Sequence, residues 1–424
     1  MYQSLIRKGP GIWVVACLLL ISGAERLFAA DLSIEEAGRM GLDNDYTLEA
    51  IRARSLSMSE LSVAAEGLPD PKLKLGIANL PTDSFNFGQE PMTQAVIGLQ
   101  QSFPRGQTRS LTSERMDESV ARNDAQGEDR QLQVLLAVRE AYINAYLHDE
   151  RQRIVEQSIG IFSDLADITR DYYTNGRAHQ QEVVHAQLEL SKVRERLARI
   201  QQQAEQARAR LSERIGEDAY RELGTEWPQI QQPSARQDII TNLEKHPRLM
   251  AWQHEIAKSR TSEEIARQAY KPGFTVDLAY GGRSGQNMDG SNRSDFLSLF
   301  VSMDIPLFTK NRQDRVLAST IAETSATEFA RDDSYRSMKA SVEELGATLT
   351  REQERLKLYE DYLLPQAQFN AEASFEDYQD AVGDLTALMR ARIGEFEIKL
   401  DFANLRADEI LTRARLLYFQ GETL

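Results

Sequence analysis

The side chains able to do chemistry are few and scattered. Five histidines, His148, His179, His185, His246 and His254, fall in a chain of 424 residues. His179 and His185 are six apart, so a helix would put them on different faces, whereas a helical zinc pair needs a spacing of four. There is no H-E-x-x-H, no P-loop, no G-x-G-x-x-G and no serine nucleophile constellation. Met58, Met288 and Met389 are soft donors that copper would accept, but a methionine in a heptad seam is ordinarily core. The single cysteine, Cys17, lies near the N-terminus. Beyond it, a disulfide framework, a cysteine-ligated metal and thiol catalysis are excluded. Carboxylate pairs are frequent, as a chain with 65 Asp and Glu must produce them without purpose. Such residues imply no catalytic site, no cofactor and no metal centre. The net charge of −15 excludes nucleic acid as a natural partner.

The elements around these residues are more informative. Residues 1–30 read as a secretory signal. Arg7 and Lys8 form its basic start, and Ile12 to Ile21 is an apolar stretch too short to span a bilayer as a helix. Ser22-Gly23-Ala24 and Ala29-Ala30 are alternative cleavage sites, and Val14-Val15-Ala16-Cys17 weakly resembles a lipobox. No later segment reaches eighteen uninterrupted apolar residues, so any further membrane insertion must use strands.

The rest of the chain reads as a duplication. Pro71 and Pro272 each open a strand-like stretch, Pro104 and Pro306 each close one, and Tyr173 and Tyr378 each precede a turn. All three pairs keep a near-constant offset of about 200 residues. The order helix, strand, loop, strand, long helix, turn, helix occurs twice. The reading is a first repeat over 31–215, a connector over 216–234 marked by Gly224, Trp227-Pro228 and Pro233, and a second repeat over 235–424. The strand hairpins fall at 72–103 and 273–305.

Heptad spacing runs through the helical parts. Val183, Leu190, Leu197, Ala204 and Leu211 recur every seventh residue, as do Leu147, Ile154, Ile161 and Ile168. In the second half Met389, Ile393, Phe396, Leu400, Ala403, Ala407, Ile410, Ala414 and Leu417 alternate by four and three, and Met338, Val342, Leu345, Leu349 and Leu356 follow suit around Glu352. Such seams predict coiled-coil packing. A helix from about Gln107 to Tyr173 would be roughly 100 Å long. One from about Asn311 to Tyr378 would match it, kinked or offset at Pro365. The runs from about Ser33 to Glu66 and Gln180 to Ile215 are about half as long, so two laid end to end match one long helix. A tube spanning a compartment uses such lengths; a compact domain does not.

Each strand candidate alternates and runs about ten residues, the length a tilted strand needs to cross an outer membrane. Ala95, Ile97, Leu99 and Phe103 share one face. So do Phe274, Val276, Leu278 and Tyr280, and Leu297, Leu299, Val301, Met303 and Ile305. Four strands cannot close a barrel, and open edges are not tolerated in lipid. Three chains would supply an even twelve. The loops 81–91 and 281–292 suit an extracellular position.

Leu68-Pro69-Asp70-Pro71-Lys72-Leu73, Asn79-Leu80-Pro81-Thr82-Asp83, Tyr270-Lys271-Pro272, Asp304-Ile305-Pro306-Leu307 and Leu363-Leu364-Pro365-Gln366-Ala367 resemble the TolC-like outer-membrane factor family. Glu90-Pro91-Met92-Thr93 and Gln101-Ser102-Phe103-Pro104-Arg105-Gly106 resemble the branch serving heavy-metal RND pumps of the copper/silver or cobalt/zinc/cadmium type. The resemblance covers nearly the whole chain after the signal. It implies a mainly α fold with a small β part: a helical tunnel in the periplasm of a Gram-negative cell, and four strands per protomer in a homotrimeric, twelve-stranded outer-membrane barrel. It further implies outer-membrane lipid, a periplasmic membrane-fusion adaptor and an inner-membrane RND transporter as partners. The adaptor-docking tips would be Thr174, Asn175, Gly176 and Arg177 in the first repeat and Asp380, Ala381, Val382 and Gly383 in the second. Gly176 matches the family's turn glycine; Ala381 stands at that place in the second turn, with Gly383 two residues on. Family members narrow the tip with carboxylates at positions that fall here on Ala387 and Arg390. Asp380 and Asp384, tripled by symmetry, are the substitute candidates for the constriction; the plainer reading makes them turn and N-cap residues.

Within this reading the cargo stays open between metal ions, drugs and a secreted protein. Outside it stand a periplasmic adaptor, which would show one hairpin flanked by glycine-rich β domains, and a periplasmic coiled-coil scaffold, which leaves the alternating strands unexplained.

Overall fold

The structure, a computed structural model, describes residues 31–380 and 382–422. The expected signal, with Cys17 and both cleavage sites, lies outside the described residues, as does Ala381. The chain opens with α1 (Ile34–Asp43), capped by the Ser33 hydroxyl, which accepts from Glu36 N at 3.1 Å. The single helix expected over 33–66 is broken here. Asp45 starts a second helix, α2 (Tyr46–Glu66): its carboxylate accepts from Leu48 N at 2.9 Å and pairs with Arg130 at 2.7 Å. A short acidic side chain satisfies free helix N–H groups better than it sits inside a helix, so the break falls at Asp45.

Strands β1 (Lys72–Ala78) and β2 (Gln94–Phe103) follow, then α3 (Thr108–Thr174) and α4 (Gln180–Ile215). The second half supplies α5 (Arg236–Asn242), α6 (Pro247–Gln268), β3 (Phe274–Arg283), β4 (Phe296–Met303), α7 (Gln313–Leu358), α8 (Leu364–Gln379) and α9 (Leu385–Gln420). At 67 residues, α3 is roughly 100 Å long. Between α7 and α8 the helix widens into a π turn over Tyr359–Leu363, just before Pro365. Proline lacks an N–H and its ring collides with the carbonyl four residues back; one wider turn absorbs both faults and lets the helix run on, offset. β1 and β4, at 7 and 8 residues, are shorter than the ten expected.

The long helix α3 is the spine. Both α2 and α4 lie along it, one beyond the other, while α6 and α9 pack elsewhere on it. Beyond them α7 contacts α6 and α9, and α8 contacts α9. The antiparallel sheet, β1-β2-β3-β4, repeats this sideways order, since its strands run into or out of α2, α3, α6 and α7. The protomer therefore has two raw edges, one at β1, α2 and α4, the other at β4, α7 and α8.

Three apolar clusters hold the helices together. One joins α1, α3 and α4 to the segment after α4 through Leu32, Val138, Tyr146, Leu211 and Leu223. That segment is tied down by Tyr146, whose hydroxyl donates to Thr225 O at 2.8 Å, while the Tyr142 hydroxyl donates to Leu32 O, just before α1, at 2.5 Å. The second cluster, toward the α3–α4 turn, holds Val155, Phe162, Leu190, Ile200, Leu388 and Phe396. Here the phase of the expected seam shifts. Ile154, Ile161 and Ile168 are only half-buried, and the deepest row on α3 is one residue on, at Val155, Phe162 and Thr169. Met389 is buried in this cluster, while Met288 is fully exposed on a loop.

The third cluster borders a buried polar chain. His246 Nε2 lies 2.9 Å from Tyr418 O, and its Nδ1 accepts from Arg248 N at 3.2 Å. That pattern fits a neutral ring with its proton on Nε2. The Tyr418 hydroxyl donates to Asp129 at 2.8 Å, and burial pushes it up to about 12. Burial also lowers the His246 pKa below its ordinary value, against the smaller pulls of the Tyr418 carbonyl and Asp129. The unfolded chain thus binds this proton more readily, and stability falls as pH drops below about 6.5. The slope from His246 has a ceiling of about 1.4 kcal/mol per pH unit. His246→Gln should flatten the fall in melting temperature between pH 7.5 and 5.5 relative to wild type; an unchanged profile would contradict a neutral buried ring.

Candidate functional site

Strand register decides what the sheet presents. Leu73 pairs with Leu99, Leu99 with Leu278, and Leu278 with Leu299. Leu75, Ile97, Tyr280 and Leu297 form the neighbouring row, and Phe103, Phe274 and Met303 another. All of these side chains are exposed and share one face. A contiguous apolar face of this extent is costly in water and marks a contact surface. The ten residues of β2 and of β3, rising about 3.3 Å each and tilted by 45°, cover about 23 Å, close to the height of an outer-membrane apolar band.

The opposite face is largely polar or small, with Val96, Phe296 and Phe300 as its apolar exceptions. Gln94, Gln100, Ser102, Thr275, Ser298 and Ser302 lie there with Gly76, Gly98 and Ala279. Across it runs an ion pair between Lys74 on β1 and Asp277 on β3. It spans β2 at Gly98, where an added Cβ would come within 3.1 Å of Leu278 O and 3.3 Å of Ala279 Cβ. The sequence shows both charges at polar positions of alternating strands but cannot show that they meet, because meeting requires the register between strands about 200 residues apart.

At the far end of the helices the two turns come together. The Tyr172 and Tyr378 rings are 5.5 Å apart, joining the end of α3 to the end of α8. Thr174 and Asn175 close α3, with Asn175 N bonded to Asp171 O at 3.1 Å. Gly176 sits at φ 74°, and Arg177 N reaches back to Tyr172 O at 2.7 Å. Glycine pays no Cβ penalty in this left-handed stop. His179 starts α4, its N–H donating to Glu182 at 3.1 Å.

The second turn is built differently. Asp380 N bonds to Glu376 O at 3.0 Å, and both Val382 N and Gly383 N reach Asp377 O at 2.9 Å. Gly383 lies against Asp377, where a Cβ would come within 3.1 Å of the aspartate Cβ. Asp384 caps α9: its carboxylate accepts from Ala387 N at 2.7 Å. Asp380 and Asp384 are both exposed, as are Ala387 and Arg390. Asp384→Ala should cost about 0.5–2 kcal/mol through the lost cap, while Asp384→Asn, which still accepts that bond, should cost much less. Thermal unfolding of the two variants side by side checks this; equal losses would mean the cap bond carries little.

The remaining histidines are dispersed. His254 Nδ1 is 2.9 Å from Glu118, and His185 is 3.7 Å from Glu189. His148 is half-buried on α3, with its pKa lowered first by burial and then by Arg151. Among the described residues no group of three or more His, Cys, Asp or Glu side chains is placed to hold a metal ion. No described helix is long and apolar enough to cross a membrane.

Comparison with known proteins places this architecture. No curated protein matches the sequence. Among solved structures, CusC superposes with a TM-score of 0.77 at 16% identity, covering 93% of this chain and 94% of its own. VceC of Vibrio cholerae, an outer membrane protein, gives 0.76 at 15%, covering 92% and 96%. The MtrE outer membrane channel of Neisseria gonorrhoeae gives 0.76 at 14%, covering 92% and 88%. The sequence profile described as outer membrane efflux protein matches residues 52–217 and 240–421, on either side of the segment after α4. The chain belongs to the outer membrane efflux protein family, whose members are channels and not enzymes, and its mainly helical fold with one four-stranded sheet is the TolC-like fold.

Proposed function

We propose that this protein is the outer-membrane exit duct of a tripartite RND efflux system, built as a homotrimer with its helical body in the periplasm. The observation that carries the reading is the sheet: four strands, apolar on one exposed face, largely polar on the other, with both edges unpaired among the described residues. Such a sheet is stable in lipid only when closed, and three copies supply twelve strands with the Lys74–Asp277 face toward the lumen. The helical edges support the same closure. Val184 and Leu188 on α4, and Phe369 on α8, are exposed apolar side chains at opposite edges, placed to meet in a ring of copies.

The division into a first repeat over 31–215, a connector over 216–234 and a second repeat over 235–424 belongs to this reading. So do docking of a periplasmic adaptor on the two tip turns and coupling to an inner-membrane RND transporter. Asp380 and Asp384, tripled around the axis, form the acidic constriction of the tip. Capping of α9 leaves the charge of Asp384 in place. The cargo is heavy-metal cations, on the strength of the motifs at 90–93 and 101–106; drug efflux and type I secretion are the competing cargoes.

Single-channel recording in planar bilayers tests the duct and its constriction together. The account expects a cation-selective pore whose selectivity falls in an Asp380→Asn/Asp384→Asn variant. An anion-selective pore, or one indifferent to the variant, would remove the constriction. For the cargo, a deletion strain should become sensitive to one of copper, silver, cobalt, zinc or cadmium; sensitivity to drugs alone would overturn the metal reading.

A further inference from the structure

We propose that the helix-side rim of the sheet binds anionic phospholipid headgroups of the adjoining leaflet, through Lys310 and Arg312 beside an inserted Leu307–Phe308 pair. The proposal rests on the membrane reading of the sheet.

The apolar face does not stop where β4 ends at Met303. Ile305, Leu307 and Phe308 continue it outside the strand, with Leu307 73% and Phe308 85% exposed. Two large apolar side chains left this bare on a non-strand segment have no role in the protomer's own core. They are continuous with a face already assigned to lipid. Within four residues of Phe308 come Lys310 and Arg312, both exposed, held at the start of α7 by a tight turn in which Arg312 N and Asp314 N reach Thr309 O at 3.0 and 3.1 Å. Apolar residues followed at once by cations are how an interfacial segment places its stems in acyl chains and its charges among headgroups.

The charges at the two rims of the sheet are used differently. At the loop-side rim the arginines are consumed internally. Arg293 donates to Gly88 O and Glu90 O at 3.3 and 3.0 Å, and Arg283 donates to Ser294 O and Pro91 O at 2.5 and 3.1 Å. At the helix-side rim Lys72, Lys271, Lys310 and Arg312 are exposed and have no ion-pair partner among the described residues. The carboxylates nearest Lys310 and Arg312 are occupied: Asp304 faces Arg105 at 3.4 Å, and Asp314 accepts from the Tyr270 hydroxyl at 2.7 Å; Asp70, beside Lys72, is exposed. In a chain of net charge −15, free cations gathered at one level are complementary to an anionic surface. Phosphate diesters of phosphatidylglycerol or cardiolipin provide one.

The test is lipid selectivity. The full-length protein and its variants are reconstituted in phosphatidylcholine with a minority of phosphatidylglycerol. Association of spin-labelled phosphatidylglycerol and phosphatidylcholine is then compared by electron paramagnetic resonance. Wild type should favour phosphatidylglycerol by up to roughly fivefold per engaged cation, and less in high salt. Lys310→Gln/Arg312→Gln should cut the preference several-fold, while Arg336→Gln/Lys339→Gln, the same charge change on α7 away from the rim, should retain it. No preference in wild type, or equal loss in both variants, overturns the rim site while leaving the barrel intact. Absence of motionally restricted lipid of either kind means instead that the sheet does not sit in a bilayer.

Discussion

An arginine at position 278 should eliminate the protein from the outer membrane. Leu278 lies in the middle of β3, between Leu99 and Leu299, on the exposed apolar face. An arginine at the bilayer mid-plane costs about 2–4 kcal/mol per protomer. In the proposed trimer three such costs fall in one belt, which exceeds what a marginally stable assembly tolerates. Leu278 is 47% exposed in the protomer. On a water-facing sheet the same substitution would therefore be a surface change worth no more than about 0.5 kcal/mol. Ser298→Arg, on the polar face of the neighbouring strand, is the matched control and should be tolerated. Membrane fractionation and heat-modifiable migration of both variants read the difference, and equal recovery of the two would argue for a sheet in water.

Phe162→Ala should be the most damaging change in the helical body. Phe162 is buried among Leu190, Leu388 and Phe396, where α3, α4 and α9 meet. Removing a buried phenyl ring costs about 3–5 kcal/mol, because rigid helix axes cannot collapse into the space. Ile161→Ala, one residue earlier, removes a half-buried side chain and should cost less than about 2 kcal/mol. Helical circular dichroism followed through thermal unfolding compares them. A larger loss from Ile161 would mean that the outer row carries the packing.

That pair of residues also shows where reading the sequence stops. Heptad spacing announced the coiled coils, but α3 carries two adjacent apolar rows, and spacing alone does not tell which one a neighbour covers. The rows separate only once α4 and α9 are in place against Val155 and Phe162. The gap between α1 and α2 was missed for a similar reason: Asp45 is an unremarkable residue in a helical run until Arg130, on α3, fixes its carboxylate. Pro365 was legible as an offset because its effect is local. The apolar face of the sheet was legible from alternation, whereas the Lys74–Asp277 pair on its other face needed a register that no local signal carries. At the tip, Asp384 reads as an N-cap from its place before an apolar helical run, and its carboxylate caps α9.

The central claim is closure of the sheet by copies of this chain in the outer membrane. Its most direct test is the mass of the complex extracted from isolated outer membranes in mild detergent, by light scattering corrected for bound detergent. The account predicts three protomers per particle, recovered from the outer-membrane fraction and dissociating on heating. A soluble monomer or dimer recovered from the periplasm would contradict it, and the long helices would then belong to a coiled-coil scaffold.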